Sequence, residues 1–165
     1  MVGTPSNAQL RAARSMSNET QNDLAKRARV TTSILKLLED PNRKRPDIHK
    51  LQQVRMALQA KGIDFLDATE EIGEGVRFRQ PTGQSMISMI RHARALLDLS
   101  LDDLADHSGV GRHTIARIER NELTRLPEDS IRKIRETLIA LGVAFVPEGS
   151  GSGAGVRLRL GSGQP

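Results

Sequence analysis

The chain has 165 residues and no cysteine, which excludes disulfides and Cys-based zinc sites and suits a reducing compartment. Hydrophobic residues make up 37% and charged residues 27%, the balance of a folded protein rather than a disordered one, and the net charge of +5 favours an anionic partner. Three Phe with no Trp or Tyr leave too few stacking platforms for a typical single-stranded or RNA-binding module, and no apolar run approaches the roughly 18 residues of a membrane helix.

Met1 to Ser6 reads as a short frayed tail. A first helix is expected from Asn7 to Met16, with Leu10 and Ala13 inward and Arg11 and Arg14 flanking. A second follows near Gln21 to Ala28 and a third near Thr32 to Glu39, with Thr31 as its N-cap. Arg29 stands where a turn glycine is expected between them. A left-handed Arg costs about 1–2 kcal/mol, so a distorted turn is expected there. Asp40 to Pro46 forms a proline-bounded basic loop containing Arg43 and Lys44. Helix four runs from about Asp47 to Lys61, with Ile48, Leu51, Val54 and Leu58 as its buried stripe and Gly62 as its stop. Ile63-Asp64-Phe65-Leu66 and Val76-Arg77-Phe78-Arg79 then alternate as a β-hairpin, with Ile63, Phe65, Val76 and Phe78 on the apolar face. A lone hairpin is marginal in water, which predicts pairing or packing with a second one.

Gln80 to Ser85 reads as a linker. Beyond it a helix is expected near Met86 to Leu97, then Leu101 to His107 and Arg112 to Arg120. A last helix runs from Glu128 to Leu141, with Pro127 at its start and Ile131, Ile134, Leu138 and Leu141 inward. Val143 to Val146 and Val156 to Arg159 make a second hairpin, and Gly161 to Pro165 a disordered tail. The organising stretch is Ser100 to Asn121. Ser100 and Asp103 form a helix-start signal, and Gly109 supplies the left-handed residue between two short helices. Helix, tight turn, helix is the unit that lays its second helix in the DNA major groove.

Leu24 and Leu104 lie 80 residues apart, and that offset pairs Arg14 with Arg94, Glu39 with Glu119, Gly62 with Gly142 and Gly75-Val76-Arg77 with Gly155-Val156-Arg157. No gap is needed, so the chain reads as a tandem duplication. The expected fold is mainly α with small β-hairpins: two repressor-like helix-turn-helix units, residues 1–84 and 85–165, each of four helices plus a C-terminal hairpin. The first unit carries 14 Lys and Arg against 10 Asp and Glu, the second 11 against 10, so the first has the stronger pull on a phosphate backbone.

Leu104-Ala105, Gly109-Val110, Thr114-Ile115 and Ile118-Glu119, with Arg91 and Arg94 upstream, resemble the Cro/repressor-type (Xre-like) helix-turn-helix family of bacterial and phage regulators. The resemblance implies structural ion pairs between Arg14 and Glu39 and between Arg94 and Glu119. It implies base readout from Gly111, Arg112, His113 and Arg117 in the second unit, and from Thr31, Thr32, Ser33 and Lys36 in the first. Gln21 matches the family's phosphate-binding Gln at the start of helix two, whereas Leu101 does not.

Arg43 and Lys44 are candidate phosphate contacts. Arg77, Arg79, Arg157 and Arg159 are expected to be solvated or paired with Glu70, Glu71 and Glu74. His49, His92 and His107 lack metal-ligand spacing, and no nucleophile–base pair or phosphate loop points to an enzyme or a cofactor. The expected function is sequence-specific binding of double-stranded DNA by a cytoplasmic, nucleoid-associated transcriptional regulator. Its two recognition helices, roughly 34 Å apart, would read an asymmetric or imperfectly palindromic operator. The hairpins are a route for self-association. The alternative is a protein-binding antitoxin or anti-activator on the same scaffold.

Overall fold

Helix starts are set by side chains that accept the unpaired N–H groups of the first turn. The computed structural model describes residues 3–160. Ser6 with Gln9, Thr20 with Asp23 and Ser100 with Asp103 close capping boxes on α1 (Asn7–Ser17), α2 (Gln21–Ala28) and α6 (Leu101–Ser108). Thr31 Oγ1 accepts from Ile34 N–H at the start of α3 (Thr32–Glu39), and the Asp47 carboxylate accepts from His49 and Lys50 at the start of α4 (Ile48–Gln59). The remaining helices are α5 (Ile90–Leu96), α7 (Arg112–Glu119) and α8 (Glu128–Ala140). The turn before α3 is not distorted. Arg29 adopts the left-handed conformation itself, φ 59° and ψ 40°, where Gly109 has φ 73° and ψ 8°. Val30 N–H still reaches Ala25 O at 2.9 Å, so packing of the helix pair overrides the local preference of Arg29.

The strands β1 (Ile63–Leu66), β2 (Gly75–Phe78), β3 (Val143–Val146) and β4 (Gly155–Leu158) form one antiparallel sheet in the order β1-β2-β4-β3. The two hairpins thus join edge to edge. At the seam Val76 lies opposite Val156, flanked by Gly75↔Arg157 and Arg77↔Gly155. A Cβ on Gly75 would sit 2.2 Å from Val156 O, and one on Gly155 2.2 Å from Val76 O, so only glycine allows this approach. Across the seam the Arg77 guanidinium donates to Gly153 O at 2.8 Å, and Arg157 donates to Gly73 O at 2.9 Å and Asp67 O at 2.7 Å. Arg79 pairs with Asp64 at 2.9 Å, and Arg159 reaches Ile139 O. Arg77, Arg79 and Arg157 therefore bond backbone carbonyls and Asp64, not Glu70, Glu71 and Glu74.

Above the sheet α1 packs against α5 in antiparallel sense. Arg11 donates to Ala95 O and Leu96 O near the end of α5, both at 3.1 Å, while Arg91 donates to Ser15 O near the end of α1 at 2.8 Å. Cations at carbonyl ends suit both helix dipoles. Ala13 and Ala93 are fully buried between these contacts, and the small side chains let the backbones approach. One hydrophobic cluster continues through both halves of the chain. His92 is buried in it, its Nδ1 2.7 Å from Ser15 Oγ and its ring edge-on to Phe78. Burial, reinforced by the Arg91 charge, pushes its pKa down to about 3.

Several local expectations are corrected. Gly3 to Ser6 is anchored, not frayed: Gly3 O accepts from Arg55 at 2.6 Å, Pro5 O accepts from Arg43, and Pro5 is buried. The helix expected from Met86 begins as a 3-10 turn over Met86–Met89 and becomes α-helical only at Ile90. Pro127 caps α8 from outside, one residue before its start. Ile48 is 58% exposed rather than buried, while Arg55 is 5% exposed, stacked on Phe65 and bonded to Gly3. Ile131 and Leu141 are half-buried, leaving Ile134 and Leu138 as the buried residues of α8. Gly161 to Pro165 lies outside the described residues.

Arg29→Gly should stabilise the protein by about 1 kcal/mol, because the left-handed strain exceeds the extra entropy glycine brings to the unfolded chain. Gly109→Arg should lose a similar amount, read as opposite shifts of the urea midpoint. Protonation of His92 predicts a pH effect. Its folded pKa lies below the unfolded value near 6.5, so the unfolded state binds the extra proton. The stabilisation is complete above about pH 6.5 and falls as pH drops towards 3, by about 2 kcal/mol at pH 5. Urea titrations at pH 7.5 and 5 should show that loss in wild type and a smaller one in His92→Gln.

Candidate nucleic-acid interface

Two helix pairs, α2–α3 and α6–α7, present their second helices in the same register. Leu35 and Ile115 are fully buried, Leu38 and Ile118 nearly so, and Glu39 and Glu119 close each helix. These glutamates are buried acceptors. Arg14 Nε donates to Glu39 Oε1 at 2.6 Å, and Arg94 donates through Nε and Nη2 to both Glu119 oxygens at 2.8 and 2.9 Å. The same arginines hold the loop before the following helix, Arg14 through Glu19 O and Arg94 through Leu99 O. Each clamp thus ties α1 or α5, a loop and the end of α3 or α7 into one unit. Gln21 joins the first clamp: its amide nitrogen donates to Glu39 Oε2 at 2.9 Å, which turns the donor inward from the position expected for a phosphate contact.

The exposed starts of α3 and α7 differ in chemistry. Gly111 gives α7 no side-chain cap, and Arg112, His113 and Arg117 are all exposed. Arg112 rests 3.4 Å from Asp102, both side chains more than half exposed, a contact that contributes at most about 1 kcal/mol and leaves the guanidinium free to rotate away. On α3, Thr31 Oγ1 is engaged in capping and Thr32 Oγ1 donates to Asn22 Oδ1 at 2.8 Å; Ser33 and Lys36 are exposed. Asn22 and Asp102 occupy matching positions on α2 and α6, so each first-turn side chain of the second helix leans on the same site of the preceding helix.

Sequence reasoning set Lys36 beside Arg117 as the residue one turn on. The buried register places Lys36 with Ala116 and puts Leu37, 66% exposed, in the position of Arg117. Counting back from Glu39 and Glu119 would have found it. Arg43, expected to grip phosphate, turns inward instead. It donates to Leu38 O at 3.0 Å and to Pro5 O, and burial lowers its pKa. Lys44 and Arg45 remain exposed on that loop. Among the described residues no helix is long and apolar enough to cross a membrane, and no group of three or more His, Asp or Glu side chains is placed to hold a metal ion.

The helix-turn-helix family model matches residues 90–139, the span from α5 to α8. That segment carries a helix-turn-helix domain, and the match supports the Xre-like resemblance there. No curated protein and no solved structure matched the chain.

Glu119→Gln keeps the shape of the clamp and leaves the Arg94 charge without its partner. It should cost about 2–3 kcal/mol in urea unfolding, well above the ~1 kcal/mol ceiling of an exposed pair, and Glu39→Gln should cost a similar amount.

Proposed function

We propose that the chain is a sequence-specific duplex-DNA-binding transcriptional regulator. It is built as two tandem helix-turn-helix units, residues 1–84 and 85–165, with α3 and α7 as recognition helices. The observation that carries the reading is the start of α7. There Arg112, His113 and Arg117 stand exposed on a helix whose far end is clamped by Arg94 and Glu119, inside the matched helix-turn-helix domain. Exposed guanidinium groups at that place suit bidentate contact with the O6 and N7 of guanine. Thr31, Thr32 and Ser33 stand at the corresponding place on α3, so the two half-sites differ and the operator is asymmetric. The edge-to-edge sheet supports a design in which one chain supplies both recognition helices, a role that two protomers share in symmetric regulators. Self-association, where it occurs, would use the outer strands β1 and β3, because β2 and β4 are already paired with each other.

Selection from a random duplex library, followed by binding of the winners over a salt series, tests the reading. The expected result is a bipartite site with unlike halves about one helical turn apart. Arg112→Ala should weaken binding by about 5- to 150-fold through the guanine-bearing half. Thr32→Ala should act only through the other. Binding without enrichment, sensitive to salt alone, would overturn the proposal and move the assignment to a protein-binding regulator.

A further inference from the structure

Helix α3 presents one large apolar side chain mostly to solvent. Leu37 is 66% exposed, while its neighbours Leu35 and Leu38 face the core at 0% and 3%. We infer that Leu37 is a specificity-determining residue that seats against thymine C5-methyl groups, so that α3 reads its half-site by apolar contact while α7 reads its own by hydrogen bonds. The inference rests on the DNA-binding reading above.

Three observations carry it. First, α3 and α7 share one helical phase: Leu35 matches Ile115, Leu38 matches Ile118 and Glu39 matches Glu119 in burial and bonding. Leu37 therefore projects from α3 as Arg117 projects from α7. Second, two of the three hydroxyls at the start of α3 are already engaged, Thr31 with Ile34 N–H and Thr32 with Asn22, which leaves Ser33 and Lys36 as its exposed side-chain donors. Third, Lys36, Lys44 and Arg45 are all exposed on α3 and the loop that follows, and Leu37 lines one cleft with Lys44, Arg45 and two carboxylates, Asp40 and Asp47, that accept backbone N–H bonds. Cations around an apolar tip complement a groove whose walls are phosphates and whose floor offers methyl groups. In the major groove only thymine presents a methyl, and leucine offers guanine neither donor nor acceptor.

Deoxyuridine differs from thymidine by that methyl alone, so the test uses the full chain and the duplex enriched by selection. Replacing thymines one at a time by deoxyuridine in the α3 half-site should raise the wild-type Kd about fourfold at one or two positions. Leu37→Ala should bind the thymine duplex more weakly by a similar factor and show no further loss with deoxyuridine. Substitution in the α7 half-site should affect neither protein. Leu37→Arg should shift the selected base at that position towards guanine. A specific site at which deoxyuridine has no effect, or the same effect in wild type and Leu37→Ala, would overturn the role of Leu37 while leaving DNA binding intact. Failure to enrich any site would overturn both, and the two failures are distinguishable because the first still yields a sequence motif.

Discussion

At the centre of the molecule Val76 faces Val156, with Gly75 and Gly155 on opposite sides of the pair. The register is centred on that pair, with Gly75 facing Arg157 and Arg77 facing Gly155, so the main contacts at this seam come in reciprocal pairs. Arg77 crosses to Gly153 and Arg157 crosses to Gly73. Arg11 meets the end of α5 and Arg91 the end of α1. A charge-assisted bond of this kind contributes about 1.5–3 kcal/mol, and four arginines using it along one seam fix the relative placement of the halves. Small residues make the approach possible, and guanidinium groups satisfy the carbonyls that the approach exposes. Without the glycines the strands could not pair, and each hairpin would be left as a marginal two-stranded ribbon.

The seam reaches the candidate surface through two arginines one turn further along the same helices. Arg14 on α1 and Arg94 on α5 leave the antiparallel helix pair and grip Glu39 and Glu119 at the ends of α3 and α7. The glutamates are almost fully buried, the arginines only partly, so each pair is shielded from salt more than a surface pair would be. The chain of contact runs from sheet to helix pair to clamp to the candidate surface, and it would hold the two proposed recognition helices at a set spacing.

The symmetry is mechanical and not chemical. The order of elements, the clamp and the seam recur, and so does the capping box of α2 and α6, but the side chains that reach solvent from α3 and α7 do not. One helix offers Arg112, His113 and Arg117; the other offers Ser33, Lys36 and Leu37. The turn before α3 even carries Arg29 in a conformation that glycine holds in the other half, so the scaffold tolerates local strain to keep the helix in place.

Much of this was legible in the sequence because it depends on period and spacing. The apolar stripes, the caps at Thr31 and Ser100, the turn glycine and the alternating strands follow from local rules that need no partner. The Arg14–Glu39 and Arg94–Glu119 pairs were implied by the resemblance to the helix-turn-helix family, and the offset of 80 gives both the same spacing of 25 residues. Tertiary structure decided the rest. Arg43 looked like a phosphate contact until the N-terminal segment brought Pro5 O to it, and the same segment brings Gly3 O to Arg55, which stacks on Phe65. Ile48 looked buried on periodicity alone, yet nothing packs over that end of α4. Arg77 and Arg157 found backbone carbonyls across the seam and Arg79 found Asp64, because the sheet set the distances. Local sequence determines where a chain turns and which face is apolar, since those depend on neighbours three or four residues away. Which polar group a long side chain finally reaches depends on segments 50 or 80 residues distant, and only the folded chain brings those together.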